Sequence, residues 1–359
     1  MFPQKLRPLL ILLLLPLAGL MTLVPACLPP PGPPPTGFPP PGPAPDGYLL
    51  CFWNVENLFD DRDDGRRGPG DRTYDPWFAH NPEILNLKLS HLAEAITKLN
   101  EGRGPDILAL AEVENRRAAE LLKDALNQKL GDEALHYHTV LMEEQGAGRH
   151  ISPAVLTRLP VRAGRTRALG RRLRILETHI VVDHRDLVVV ASHWTSRVRR
   201  GSEAGRAKYG DQIYGRFKAM YLANPQVDFL VCGDFNDNPD DPSVTQHLRA
   251  VGDREAVLNS GGQDPLLLNL FAAQSPPKWP GTHYDRGRWF HFDQIAVSPG
   301  LLDDIAWTCD TQSAAVVDTL SRPTDRKHRP WRFGSPHDKH QRGYSDHFPV
   351  TVRLRVNPR

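Results

Sequence analysis

The chain has 359 residues, 40% hydrophobic and 24% charged, with a formal net charge of +2. That composition excludes a disordered, collagenous or disulfide-dense chain, and a charge so near zero selects no partner by bulk electrostatics. A chain of this length buries roughly 75% of its unfolded surface, enough for one large or two ordinary domains.

The first residues read as an export segment. Lys5 and Arg7 precede an apolar run from Leu9 to Val24, a positive region followed by a hydrophobic one. Val24-Pro25-Ala26-Cys27 resembles the lipobox of bacterial lipoproteins, in which the cysteine becomes the lipidated first residue. Residues 1–26 are therefore expected to be a lipoprotein-type signal peptide and Cys27 the lipidation site, with membrane attachment through that lipid. A cleaved secretory signal and an uncleaved anchor are the alternatives, since about 20 apolar residues can span a bilayer. All three export the rest of the chain. Residues 27–46 are rich in Pro and Gly and read as a semi-extended spacer. Nothing marks a boundary after residue 47, so 47–359 is read as one domain. Its cysteines, Cys51, Cys232 and Cys309, sit in apolar runs without disulfide or metal spacing, and buried free thiols are expected.

From Tyr48 the chain alternates strands and helices. YLLCFWNV (48–55) and DILALAEVE (106–114) are continuous apolar runs of buried-strand length. Between them, Ile84, Leu87, Leu92, Ile96 and Leu99 recur at helical spacing within 83–100, and a second helix is expected near 116–130. Four strands follow around 137–142, 152–158, 173–182 and 187–194. A helix over 211–223 leads into a strand at 229–234, and strands at 292–299 and 348–356 close the chain. Many strands with few interleaved helices predict an α/β fold in layers with mixed sheets.

Polar residues recur where these runs end. Asn54 and Glu56 follow the first strand, Glu112 ends the second and His193 ends VVVAS (188–192). Asp234 and Asn236 end the strand at 229–234, Asp293 opens FDQIAV, and Asp346-His347 precede the last strand. Each alone fits turn chemistry. Together they place a site at strand ends. Carboxylates with amide oxygens nearby and no cysteine suit Mg²⁺ or Mn²⁺ better than zinc, and the histidines add proton transfer.

Seven stretches resemble the endonuclease/exonuclease/phosphatase superfamily: FWNVENL (52–58), LALAEVEN (108–115), SPAVLTRLPV (152–161), VVVASHW (188–194), VCGDFND (231–237), HFDQIAV (291–297) and YSDHFPV (344–350). The resemblance spans about 300 residues, in the family's order. It implies a four-layer sandwich of two stacked mixed β-sheets flanked by helices. It also implies roles. Glu112, Asp346 and Glu56 would hold the metal, and Asn54 and Asn236 the phosphate oxygens. Asp234 would deprotonate the attacking water. Asp293 would fix His347, which stabilises the transition state, and His193 would be the second histidine of the nuclease branch. No partner carboxylate for His193 is evident, Glu143, Glu144 and Glu177 being the candidates.

The substrate is read from three basic segments. Residues 158–174 carry seven arginines and no acid, 197–218 carry seven Lys/Arg, and 322–342 carry seven Lys/Arg with three His and Trp331. Basic segments beside a phosphodiester site predict a polyanion track, with Arg199, Arg200 and Arg206 expected to contribute because they follow His193. SHWTSR (192–197) resembles the extracellular nucleases of the superfamily. The expected activity is thus an exported, Mg²⁺-dependent nuclease. A sphingomyelinase-like lipid phosphodiesterase and an inositol-phosphate phosphatase are the alternatives. A lipid enzyme would carry an exposed apolar hairpin near the site, and no such hairpin is evident.

Overall fold

The predicted apolar runs form the centres of two sheets in the computed structural model, which describes residues 42–44, 46–145, 148–197, 201–272, 279–340 and 342–357. Residues 1–26, expected to direct export, lie outside the described residues, as do Cys27, Arg199 and Arg200. Among the described residues, no helix is long and apolar enough to cross a membrane.

Strands β1 (Tyr48–Leu58), β2 (Ile107–Val113), β3 (Thr139–Met142) and β4 (Ser152–Thr157) belong to the first sheet. The second begins with β5 (Arg167–Ala168), β6 (Ile175–Val182), β7 (Arg185–His193), β8 (Asp228–Asp234), β9 (Ala250–Val251) and β10 (Leu267–Asn269). A separate hairpin, β11 (His283–Asp285) and β12 (Arg288–Phe290), precedes β13 (Asp293–Val297), β14 (Trp307–Val316) and β15 (Val350–Val356). The sheet orders are β14-β15-β1-β2-β4-β3 and β5-β6-β7-β8-β13-β10-β9. Both are mixed: β1 and β2 run parallel, as do β7 and β8, while β1–β15 and β8–β13 are antiparallel. Among the described residues five α-helices flank them, α1 (Asp71–Ala79), α2 (Pro82–Thr97), α3 (Arg116–Leu130), α4 (Glu203–Ala223) and α5 (Arg254–Asn259).

Strand alternation sorts the apolar side chains into layers. Leu50, Phe52, Ala109 and Val155 of the first sheet meet Val189, Ala191, Leu230 and Ile295 of the second between the sheets. The alternate residues Cys51, Trp53, Leu108 and Leu110 face α2 and α3 through Leu85, Leu92 and Leu122. On the far side Val188, Val190 and Phe229 pack on Tyr209, Ile213 and Phe217 of α4. The result is the four-layer α/β sandwich that the resemblance implies. Cys51, Cys232 and Cys309 are buried free thiols.

Several segments depart from the sequence expectation, α1, α5, β5, β9 and β10 among them. Helix α4 begins at Glu203, eight residues before 211, because EAGRAKYG carries no apolar stripe to mark it. The strand β14 was not expected; its register shifts between Asp310 and Ala315, which breaks the alternation. The hairpin β11–β12 has strands of only three residues, too short for periodicity to show.

Candidate active site

Strand register assembles the site. His193, Asp234 and Asp293 are partners across β7, β8 and β13, so one row crosses three strand ends. In the other sheet Asn54 pairs with Ala111, which places Glu112 one residue beyond. Regular pairing then stops, with register shifts between Asn54 and Leu58 and between Leu110 and Val113. Glu56, Asn57, Glu112 and Asn236 all have left-handed backbones, with φ of 51°, 59°, 63° and 51°. Non-glycine residues rarely adopt that region, and such conformations cluster at functional sites. Gly233 serves a different need: a Cβ there would lie 2.4 Å from the Ser192 carbonyl oxygen, so glycine lets β7 and β8 bring His193 and Asp234 side by side.

Asp234 lies at the centre. Its Oδ2 accepts from Asn54 Nδ2 at 3.0 Å and its Oδ1 from the Asn236 backbone N–H at 2.9 Å. Two imidazoles face Oδ2, His193 Nε2 at 3.7 Å and His347 Nε2 at 3.8 Å. Burial pushes the Asp234 carboxyl up to about 7, against the pull of His347. The stretch Gly233-Asp234-Phe235-Asn236 is therefore more than a turn: it holds a buried carboxylate, oriented by Asn54 and Asn236, facing two imidazoles.

The histidines are driven apart in charge. His347 Nδ1 is 2.7 Å from Asp293 Oδ2. Burial disfavours its charged form, but Asp293, Asp234 and Asp346 outweigh burial and hold it well above the usual histidine value. Burial, with Arg174, His347 and Arg149 nearby, pushes His193 well below that value, and its Nδ1 is buried without a partner among the described residues. Neither Glu143 nor Glu144 nor Glu177 pairs with it: Glu177 is engaged by Arg167, Arg216 and His179, and Glu144 accepts from the Arg116 backbone. The carboxylates near His193 are those of the site itself, Asp234 and Glu112, the latter at 3.8 Å.

Two carboxylates are suited to a divalent ion. Glu112 Oε2 accepts the Asn57 N–H at 3.0 Å, and among the described residues nothing hydrogen-bonds Oε1. Among the described residues no hydrogen bond reaches the Asp346 carboxylate; Arg332 approaches it at 3.8 Å. Burial would raise the Asp346 carboxyl, but His347, His283, Arg332 and Lys88 hold it below the usual range. Both residues line one cavity, and oxygen donors of this kind fit Mg²⁺ or Mn²⁺. His283, Asp346 and His347 also cluster, with ligand atoms within 4.8 Å of one another. His347 Nδ1 is already held by Asp293 Oδ2 at 2.7 Å, so we assign His347 to that pair.

Two sequence expectations are corrected. Glu56 is not free to hold a metal: it is 2% exposed and its oxygens bond Arg332 and the backbone of Phe333 and Gly334. Arg206 is not on a substrate track. It is 3% exposed, 2.6 Å from Asp237 and 2.6 Å from Ser202 Oγ, so it braces the loop after Asp234. Its neighbours are also neutralised: Arg197 pairs with Asp237 and Asp241, Arg216 with Glu177 and Lys218 with Asp264.

Within the basic segments 158–174 and 322–342 the structure selects Arg172, Arg174, Arg322, Arg329 and Arg332 for the cavity wall, and to the site it adds Arg149, Arg286, His283 and Lys88, which the sequence reading did not single out. The cavity, about 1050 Å³, is lined by Arg149, Arg172, Arg174, Arg286, Arg322, Arg329 and Arg332. Of these, Arg172, Arg174 and Arg322 have no carboxylate partner among the described residues; Arg174 instead donates to the carbonyls of His193 and Trp194. His283, from the hairpin, stacks on His347 at 4.3 Å between ring centroids. Lys88 lies wholly buried beneath the site, where burial lowers its ammonium to about 8 against Glu56, Asp346 and Glu112. Its signal was present: Leu85, Lys88, Leu89 and Leu92 share one helical face, a lysine on an apolar stripe.

No curated protein matches the sequence. Among solved structures, an endonuclease/exonuclease/phosphatase family protein from Bacteroides thetaiotaomicron is 13% identical, with 87% of this chain and 98% of that one covered and a TM-score of 0.50. Mannosyl-6-phosphatase from the same species is 14% identical, with 86% and 99% covered and a TM-score of 0.50. At such identities the likeness is one of fold. The family model described as "Endonuclease/Exonuclease/phosphatase family" matches residues 49–356, and the chain belongs to that family of phosphoric-ester hydrolases.

Proposed function

We propose that the protein is an exported, Mg²⁺- or Mn²⁺-dependent phosphodiesterase that hydrolyses DNA or RNA. The observation that carries the substrate class is the set of cavity arginines. Arg172 and Arg174 stand on the His193 side, Arg322 and Arg332 come from the loop that ends at Asp346, and three of the four lack a carboxylate partner among the described residues. A cavity with uncompensated cations beside the catalytic carboxylate suits a chain of phosphates.

A divalent ion bound by Glu112 and Asp346 would neutralise a phosphate oxygen. The chain's own residues do the rest. Asp234 Oδ2, oriented by Asn54 and the Asn236 N–H, takes a proton from the attacking water. His347, fixed by Asp293, donates from Nε2 to charge that develops on the phosphate oxygens. His193 adds a polar contact, and the Asn54 and Asn236 amides contact the phosphate.

A lipid substrate is disfavoured by the hairpin. β11–β12 does overlie the cavity, where Tyr284, Asp285 and Arg286 line it. Its turn is Asp285-Arg286-Gly287-Arg288, charged at three of four positions. A turn that entered a bilayer would be apolar.

The substrate reading is tested at Arg172 and Arg322, both exposed and outside the catalytic contacts. Replacing both by alanine should raise KM on long nucleic acid. It should also flatten the salt dependence of binding by roughly 0.9 log units per log unit of salt for each lost phosphate contact on duplex DNA. Hydrolysis of bis(p-nitrophenyl) phosphate should hardly change. An unchanged salt slope removes these arginines from the track.

Export is read from Lys5, Arg7 and the apolar run before Cys27. If Cys27 carries lipid, metabolic labelling with a fatty acid should mark the wild type and not Cys27→Ala. Equal labelling of both rejects the lipoprotein reading.

A further inference from the structure

The carboxylate of Glu56 has no acceptor site left. Arg332 donates to Oε1 from Nε at 2.8 Å, with Nη2 at 2.7 Å from the same oxygen. The Phe333 N–H donates to Oε2 at 2.7 Å, and the Gly334 N–H lies 3.3 Å from both oxygens. A carboxylate offers about four acceptor sites, and these donors fill them. Glu56 therefore serves Arg332 and not a metal.

Arg332 is held from several directions. Its carbonyl accepts the Gly343 N–H at 3.0 Å, and the Tyr344 N–H donates to Trp331 O at 2.6 Å. Lys88 Nζ donates to Tyr344 O at 2.8 Å and lies 4.7 Å from the Phe333 ring centroid. The loop is thus tied to helix α2 from below and to β1 through Glu56. The side chain of Arg332 remains 41% exposed, lines the catalytic cavity and sits 3.8 Å from Asp346. A guanidinium fixed before substrate arrives costs little reorganisation when charge develops on phosphate.

We propose that Arg332 is a catalytic residue: anchored by Glu56, it donates to a non-bridging oxygen of the reacting phosphate. The centre then binds one divalent ion, through Glu112 and Asp346. Arg332 keeps its protons throughout; water forms the new P–O bond and the leaving oxygen departs, as in the function proposed above, on which this inference rests.

Titrating the purified protein with Mn²⁺ while free Mn²⁺ is read by electron paramagnetic resonance tests the assignment without any assay of turnover. One ion per chain is expected in the wild type and in Glu56→Gln, with binding lost in Glu112→Gln. On bis(p-nitrophenyl) phosphate, Arg332→Ala should lower kcat by about 10²–10³-fold, change KM less and recover in part with added guanidinium. Two ions per chain, or loss of Mn²⁺ in Glu56→Gln to the extent seen in Glu112→Gln, overturns the proposal, as does a wild-type kcat in Arg332→Ala. If Arg332→Ala does not fold by circular dichroism, Arg332→Lys replaces it: a reduced kcat at one bound ion supports the proposal and an unchanged kcat overturns it. A wild type that cleaves no phosphodiester rejects the proposed function, while the ion count still decides whether Glu56 is a ligand.

Discussion

Asp234→Asn should lower kcat on a phosphodiester by about 10²–10⁴-fold, the range that a positioned general base contributes, and leave Mn²⁺ binding intact. The asparagine keeps the shape of the side chain, and its single amide oxygen can still accept one of the two orienting contacts, from Asn54 or from the Asn236 N–H. What it loses is basicity. Burial holds the Asp234 carboxyl at about 7, so the native group changes protonation within the working range. An amide does not. Asp234 is also distinct from the two carboxylates assigned to the metal, and for that reason rate and ion binding should separate. Steady-state kinetics beside a Mn²⁺ titration make the comparison. Wild-type turnover in the variant, or loss of rate and metal together, contradicts the role assigned to Asp234.

Glu112→Gln should behave in the opposite way, with rate and metal affinity falling together. Its Oε1 is the oxygen closest to His193, and the left-handed backbone at φ 63° aims the side chain into the cavity. A neutral amide oxygen is a poorer donor for a hard divalent ion. Affinity should fall by more than the roughly 10–100-fold typical of losing an outer contact. Raising Mg²⁺ should restore part of the rate in Glu112→Gln and none in Asp234→Asn. Equal rescue of both variants, or of neither, contradicts the division between metal ligand and base.

Much of this site was legible because its residues end apolar runs. The strands at 48–55, 106–114, 187–194 and 229–234 are continuous stretches of buried residues, so Asn54, Glu112, His193 and Asp234 stand out as polar interruptions. Partnerships across the fold leave no such mark. Arg206 and Arg332 look alike as arginines in basic runs, yet Asp237 closes one into the core while Glu56 holds the other at the cavity wall. Glu56 fits a ligand position in the motif FWNVENL, and only the loop 332–334, some 276 residues later, fills its oxygens. The hairpin at 283–290 escaped notice because Arg286 and Gly287, both with positive φ, form a two-residue turn between strands too short to alternate visibly. Of the arginines that follow His193, Arg206 is buried away from the cavity, whereas Arg172 and Arg322, from the other two basic segments, line it.

The most direct measurement is hydrolysis by the purified protein of DNA, RNA, sphingomyelin, an inositol phosphate and bis(p-nitrophenyl) phosphate, each in Mg²⁺, in Mn²⁺ and in excess EDTA. The site described here predicts cleavage of DNA or RNA and of the small diester with either ion and none in EDTA. Full activity in EDTA contradicts the metal centre at Glu112 and Asp346. Indifference to both nucleic acids together with cleavage of sphingomyelin or the inositol phosphate contradicts the nuclease assignment.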